Sequence, residues 1–252
     1  MQYICMKSIF YLREYFFPSG CGGCGEALYA QTDAFYGICL NCRQLLESCF
    51  SPDQRCKICG KPLISEKETC LFCRAGGAAD SGTYNENIIR MKTFFPYAGK
   101  FKAILGAYKF GKSLGVANFL AGCLSRVPDD FGAEAKDSAW VPVPPRPGKI
   151  RKQGWDQMEH LAGLLDKDHK RSGRGIPVSR CLRRLPSRSQ KELNKEERGR
   201  NLKGRILCTR QPPRTAILFD DVITTGATMN ACAAALLEGG AERVYGVCLF
   251  FD

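Results

Sequence analysis

The sequence predicts an α/β protein with a mostly parallel sheet, preceded by an N-terminal Cys-rich metal-binding module. Three observations carry this reading. Ten of the fifteen cysteines fall before Gly76, eight of them as four Cys-x₂-Cys pairs. From Asn87 onward, short apolar runs alternate with amphipathic stretches, the pattern of strands joined by covering helices. One of those runs, Ala216 to Asp221, ends in two acids and opens into a Thr-rich turn before an alanine-rich stretch. At 252 residues the chain accommodates one sizeable domain and a small one, here residues 1–76 and 87–252.

Taken in order, Ile9, Leu12, Phe16 and Phe17 recur at helical spacing, and Lys7, Arg13 and Glu14 interrupt the apolar positions. The segment reads as a short amphipathic helix rather than a signal peptide, with a membrane-surface anchor as the alternative. No apolar run reaches the ~18 residues of a membrane span, so membrane insertion is not expected. Without an export signal the cysteines are expected in a reducing cytoplasm, where thiols bind metals or lie buried.

The pairs Cys21/Cys24, Cys39/Cys42, Cys56/Cys59 and Cys70/Cys73 are each spaced as a knuckle that aims two thiolates to one side of a tight turn. Two knuckles make a tetrahedral S₄ site, the preferred surroundings of structural zinc, so eight ligands imply two zinc ions. An iron–sulfur cluster would use the same thiolates. Sequential and interleaved pairing both satisfy the spacing. Four thiolates leave no open position, which points to structure and partner contact rather than catalysis. Cys123, Cys181, Cys208, Cys232 and Cys248 lack such pairing and read as small buried hydrophobes.

After the Gly/Ala/Ser stretch from Ala75 to Glu86, strands are expected at Ile88–Phe95, Ala139–Pro145, Ala216–Asp221 and Arg243–Phe251. Helices are expected over Lys100–Leu124 with a break near Gly111, over Gln157–Leu165 and over Ala227–Leu237. Ligands of such sheets bind beyond the carboxyl ends of the strands. There the sequence places Asp220 and Asp221, followed by Thr224, Thr225, Gly226, Ala227 and Thr228. Small residues admit a phosphate to the N–H groups at a helix start, hydroxyls add donors, and two carboxylates suit sugar hydroxyls or hydrated Mg²⁺. Gly106 to Ser113 also fits the nucleotide-binding pattern GxxxxGK[ST] literally, but a helical segment precedes it where a P-loop requires a strand.

The stretch DDVITTGAT resembles the phosphoribosyl pyrophosphate loop of type I phosphoribosyltransferases. Further motifs narrow the resemblance to the ComF family: Lys109-Phe110-Gly111, the run VPVPPRPGKIRKQGWDQ from Val141 to Gln157, and Gln190, Leu193, Arg198 and Asn201 downstream. Gln153 stands where the family usually has Arg, and Asp156 where it has Asn. The resemblance implies a type I phosphoribosyltransferase-like domain behind a double zinc ribbon, with Mg²⁺-phosphoribosyl pyrophosphate as ligand. It further implies that Pro144, Pro145 and Arg146 meet the pyrophosphate, with Arg151 and Lys152 nearby.

Between Val141 and Arg214 stand 20 Lys or Arg against 7 Asp or Glu, while the rest of the chain is nearly balanced. Such a segment suits a polyanion. Family resemblance implies a role in natural competence, with single-stranded DNA and competence-machinery proteins as partners; Trp155 is a candidate for base stacking. Three uses of the sugar-phosphate site stay open: a phosphoribosyltransferase with an unspecified acceptor, a DNA-handling protein, and a sensor that binds without turnover.

Overall fold

The computed structural model describes residues 19–50, 55–56, 59–63, 65–74, 87–132, 135, 137–173, 175–186 and 204–252. The expected N-terminal helix, and the motif residues Gln190, Leu193, Arg198 and Asn201, lie outside these. In chain order the strands are β1 (Ser19–Gly20), β2 (Ala27–Leu28), β3 (Arg90–Pro96), β4 (Ser138–Pro142), β5 (Leu182–Arg184), β6 (Ile206–Cys208), β7 (Thr215–Ile223) and β8 (Arg243–Phe251). The helices are α1 (Gln31–Tyr36), α2 (Leu40–Glu47), α3 (Leu71–Arg74), α4 (Gly99–Lys109), α5 (Leu114–Ser125), α6 (Val127–Phe131), α7 (Lys149–Gln153), α8 (Gln157–Ser172) and α9 (Ala227–Glu238).

Two compact units result, and neither is continuous in sequence. The first joins residues 1–51 to Pro96–Cys123; the second joins Pro52–Phe95 to Leu124–Asp252. In the first unit, β1 and β2 form an antiparallel ribbon, α1 and α2 follow, and α4 and α5 return to pack on them. Ile104 on α4 lies against Gly23 in the first knuckle, and Gly115 on α5 meets the backbone of Gly37 so closely that a Cβ would clash. The amide of Asn118 donates to the carbonyl of Phe35 at 3.1 Å. These contacts join segments some eighty residues apart, which local pattern cannot reveal.

The second unit is built on a four-stranded sheet in the order β3-β8-β7-β4. β4 pairs in parallel with β7, and β7 with β8, so the α/β expectation and its parallel core hold. Near-continuous burial along β7 and β8 follows from helices covering the sheet. α8 packs on β4 and β7, and α9 on β7 and β8. Trp140 meets Phe219 edge-on at 5.5 Å, and Phe95 meets Phe250 at 5.4 Å, filling the core with rigid aromatics. β5 and β6 form a separate antiparallel ribbon that packs on α9.

Several elements differ from the sequence reading. β7 runs on through Val222 and Ile223, because these apolar residues pair with Phe250 and Phe251 of β8. The two acids therefore lie within the strand rather than at its last position. α8 extends to Ser172, where Gly173 ends it. The GxxxxGK[ST] match is not a P-loop: Gly106 sits inside α4, which buries Ile104, Leu105 and Tyr108. No helix among the described residues is long and apolar enough to cross a membrane.

Candidate functional site

Gly226 decides the shape of the loop after β7. It adopts φ 79° and ψ −5°, the left-handed conformation that glycine takes without steric cost, and so turns the chain from the strand into α9. A hollow results, lined by Asp220 and by every residue from Val222 to Met229. Thr224 is exposed, Thr225 and Thr228 are half-buried, and Gly226 and Ala227 are buried beneath them. The N–H of Ala227 lies 3.4 Å from the hydroxyl of Thr225. Free N–H groups at a helix start and a rim of hydroxyls make an anion-binding surface.

The two acids are not equivalent. Successive strand residues point to opposite sides. Asp220 lines the hollow, half-exposed, with one carboxylate oxygen accepting from the N–H of Asp221 at 2.8 Å. Asp221 is 7 % exposed and accepts a 2.5 Å hydrogen bond from Nε2 of Gln157. Gln157 is itself bonded to Lys149, whose ammonium also pairs with Asp156 at 2.6 Å. Asp156 caps α8, accepting from the N–H groups of Met158 at 2.9 Å and Glu159 at 3.1 Å. The Gly-Trp-Asp-Gln element thus ends α7, starts α8 and holds Asp221 in one orientation. Asp at position 156 caps as Asn would, and adds the ion pair with Lys149. Trp155 is half-buried against His160, ring centroids 5.8 Å apart.

The loop after β4, which carries Pro144, Pro145 and Arg146, leaves the sheet at the end where β7 carries Asp220 and Asp221. Pro142 is level with Phe219, and the N–H of Val143 donates to the Phe219 carbonyl at 3.0 Å. Arg151 and Lys152 lie exposed in the last turn of α7. Gln157 was not legible as a site residue, because its partner Asp221 is 64 positions away, and Lys149 joins the site only through Gln157. Arg184 was missed as well: it occupies β5, 8 % exposed, in the field of Arg146 and Asp220.

The eight paired cysteines form two groups, one in each unit. Cys21, Cys24, Cys39 and Cys42 converge, as do Cys56, Cys59, Cys70 and Cys73; within each group all sulfurs lie within 4.8 Å of one another. Pairing is therefore sequential, and the interleaved alternative falls. Separations of 3.6 Å between Cys24 and Cys39 and 3.7 Å between Cys59 and Cys70 match the ~3.8 Å edge of a tetrahedron around zinc with 2.3 Å bonds. Burial opposes ionisation of Cys21, but N–H groups of Cys39, Cys24 and Gly23 outweigh it and bring the thiol down to about 7. Burial, then the charges of Cys56 and Cys70, push Cys59 up to about 12. Thiols crowded in this way ionise together only around a cation, so the donor set fits a divalent metal such as zinc.

The second group is part of the sheet's own core. Cys56, Cys59 and Cys73 share one apolar cluster with Met91, Val244 and Cys248. Gly60, at φ 72°, places its backbone where a Cβ would lie 2.5 Å from the carbonyl oxygen of Met91. The Thr93 hydroxyl donates to the Gly60 carbonyl at 3.0 Å, and Arg55 bridges Gly60 and Thr93. Gly60→Ala is expected to lower the melting temperature by several degrees, read by circular dichroism, because both the backbone angle and the contact oppose a methyl group.

No family model matches the chain. Among curated proteins it is 26 % identical over 210 residues to Competence protein ComFC of Streptococcus pneumoniae, covering 82 % of this chain and 84 % of that protein. The chain is similar to ComFC over most of both lengths. Competence protein ComFC of Bacillus subtilis is 27 % identical over 212 residues, covering 81 % of this chain and 79 % of that protein. Two four-Cys groups ahead of and beside a parallel α/β sheet agree with the double zinc ribbon and phosphoribosyltransferase-like fold that the ComF resemblance implies.

Proposed function

We propose that this ComFC homologue binds phosphoribosyl pyrophosphate in the hollow between β7 and α9, and acts in the handling of single-stranded DNA during competence. What supports this most is the convergence at one strand end of a left-handed glycine, a hydroxyl-lined helix start and two acids held in different ways. On this reading Thr224, Thr225, Gly226, Ala227 and Thr228 receive the 5′-phosphate. Asp220 bonds the ribose hydroxyls, and Asp221, fixed by Gln157, assists hydrated Mg²⁺. Arg146 faces the leaving pyrophosphate, where positive charge would stabilise what develops during transfer. The basic excess between Val141 and Arg214 supplies the surface for DNA.

Calorimetric titration with Mg²⁺-phosphoribosyl pyrophosphate tests the reading. Saturable binding is expected for the wild type and none for Asp220→Asn/Asp221→Asn of equal melting temperature. Absence of binding to folded, metal-loaded wild type would sink it. A smaller effect belongs to Gln157→Ala. Losing one charge-assisted hydrogen bond to Asp221 is expected to weaken binding about tenfold, with little change in the titration of ribose 5-phosphate alone. Pyrophosphate release with an added base or amine would identify transfer; binding without release would identify a sensor.

A further inference from the structure

The Lys109-Phe110-Gly111 motif takes no part in the site above; it forms the corner between α4 and α5 in the first unit. Phe110 is 84 % exposed, the highest value for a large apolar side chain among the described residues, and Leu114 across the turn is 66 % exposed. The turn that presents them is fixed. A Cβ at Gly111 would lie 2.7 Å from the carbonyl oxygen of Ala107, and Lys112 holds φ 51°, a left-handed angle that lysine adopts only at a cost. The N–H of Ser113 donates to the Ala107 carbonyl at 3.1 Å, and Lys112 and Leu114 stay outside on either side of it. α4 buries Ile104, Leu105 and Tyr108 on one face. Ala103 and Phe110 lie exposed on the other, with Lys102 and Lys109, two turns apart, along its flank. Between Glu86 and Asp129 the sequence has seven Lys or Arg and no acid, and Lys100, Lys102, Lys109 and Lys112 all belong to this helical hairpin.

We propose that the α4–α5 corner is a docking surface for an anionic lipid bilayer. Phe110 and Leu114 enter the boundary between headgroups and acyl chains, and Lys102, Lys109 and Lys112 meet the lipid phosphates around them. Both halves of the surface decide the occupant. A solvated face with surplus lysine explains the charge but not two large apolar side chains held in water at one fixed turn. A nucleic acid strand would answer the lysines and stack on Phe110, yet would leave the aliphatic Leu114 exposed. A bilayer interface answers both at once, since apolar depth lies directly beneath a layer of negative charge. Lysine stems are long enough to keep their ammonium groups at the headgroups while the tip sinks below them. Docking of this kind needs no membrane-spanning helix, and it is independent of the sugar-phosphate reading, whose residues belong to the second unit.

The experiment is co-sedimentation of the full, metal-loaded chain with vesicles of phosphatidylcholine alone and of phosphatidylcholine with about one part in three phosphatidylglycerol. Wild type is expected to pellet with the anionic vesicles and to stay in solution with the neutral ones. Phe110→Ser/Leu114→Ser is expected to lower the partition coefficient about tenfold or more at an unchanged melting temperature, because both side chains already face water. Lys109→Glu/Lys112→Glu is expected to lower it about tenfold or more as well, through repulsion from the lipid phosphates. Phe110→Trp is expected to restore wild-type partitioning within about twofold, since an aromatic ring of either kind suits the interface. Failure of wild type to sediment with anionic vesicles overturns the proposal, as does equal sedimentation with both kinds. Unchanged partitioning of folded Phe110→Ser/Leu114→Ser overturns it too. Should Leu12→Asp/Phe16→Asp release the chain from vesicles while the corner variants do not, the contact lies before residue 19 and the proposal falls. Weakened oligo(dT) binding by the corner variants, in a chain that ignores vesicles, would make the corner a nucleic-acid contact and defeat the lipid assignment.

Discussion

Cys59→Ser/Cys73→Ser is expected to abolish the cooperative unfolding transition of the second unit, with loss of one of two bound metal ions by elemental analysis. The reason lies in the shared core. Cys59 and Cys73 are buried in the same cluster as Met91, Val244 and Cys248, so a failed metal group leaves the apolar floor of the sheet open. Structural zinc contributes folding energy directly, on the order of 10 kcal/mol or more in small metal-dependent peptides, which exceeds the whole stability of many domains. Cys24→Ser/Cys42→Ser is expected to remove the other ion and yet leave the near-ultraviolet signal of Trp140 intact, because those ligands belong to the first unit. Equal collapse of the Trp140 signal in both variants would show that the second group has no special bond to the sheet.

Gly226→Val is expected to abolish binding of ribose 5-phosphate while leaving the melting temperature within a few degrees of wild type. The left-handed angle at Gly226 costs an ordinary residue about 1–2 kcal/mol and a β-branched one more. The loop is therefore expected to relieve the strain by rotating its N–H groups away from the hollow. One or two kilocalories already correspond to about tenfold in affinity, and loss of the anion-facing N–H groups multiplies that. Binding retained within threefold, by the same calorimetry, would mean that the phosphate is held by side chains rather than by the turn.

The sequence carried the chemistry of this protein better than its assembly. Cys-x₂-Cys spacing announced the ligands because a knuckle is a local device, whereas the choice of partners for each knuckle depends on packing between distant segments. The strand, acid and glycine signals at 216–228 were local as well, and the helix starts where the Thr-rich turn places it. What escaped was long-range. Nothing in a run of Leu, Arg and Arg marks Arg184 as the one that turns inward, since β5 shows no clear alternation. The bond from Gln157 to Asp221 spans 64 positions, and its motif could be recognised without its purpose. The P-loop match failed for an instructive reason: a regular expression cannot see that Gly106 lies mid-helix with buried neighbours.

The discontinuous chain path also dictates an order of events during synthesis. The first cysteine group completes its surroundings only when Ile104 and Gly115 have emerged, some seventy residues after its last ligand. The second waits longer still, because Met91 packs against Gly246 in the final strand. Until β8 leaves the ribosome, its thiols remain without their sheet and open to capture of the wrong ion or to oxidation. A nascent chain of this design depends on the reducing power and metal supply of its surroundings from the emergence of its first knuckle until β8 is made.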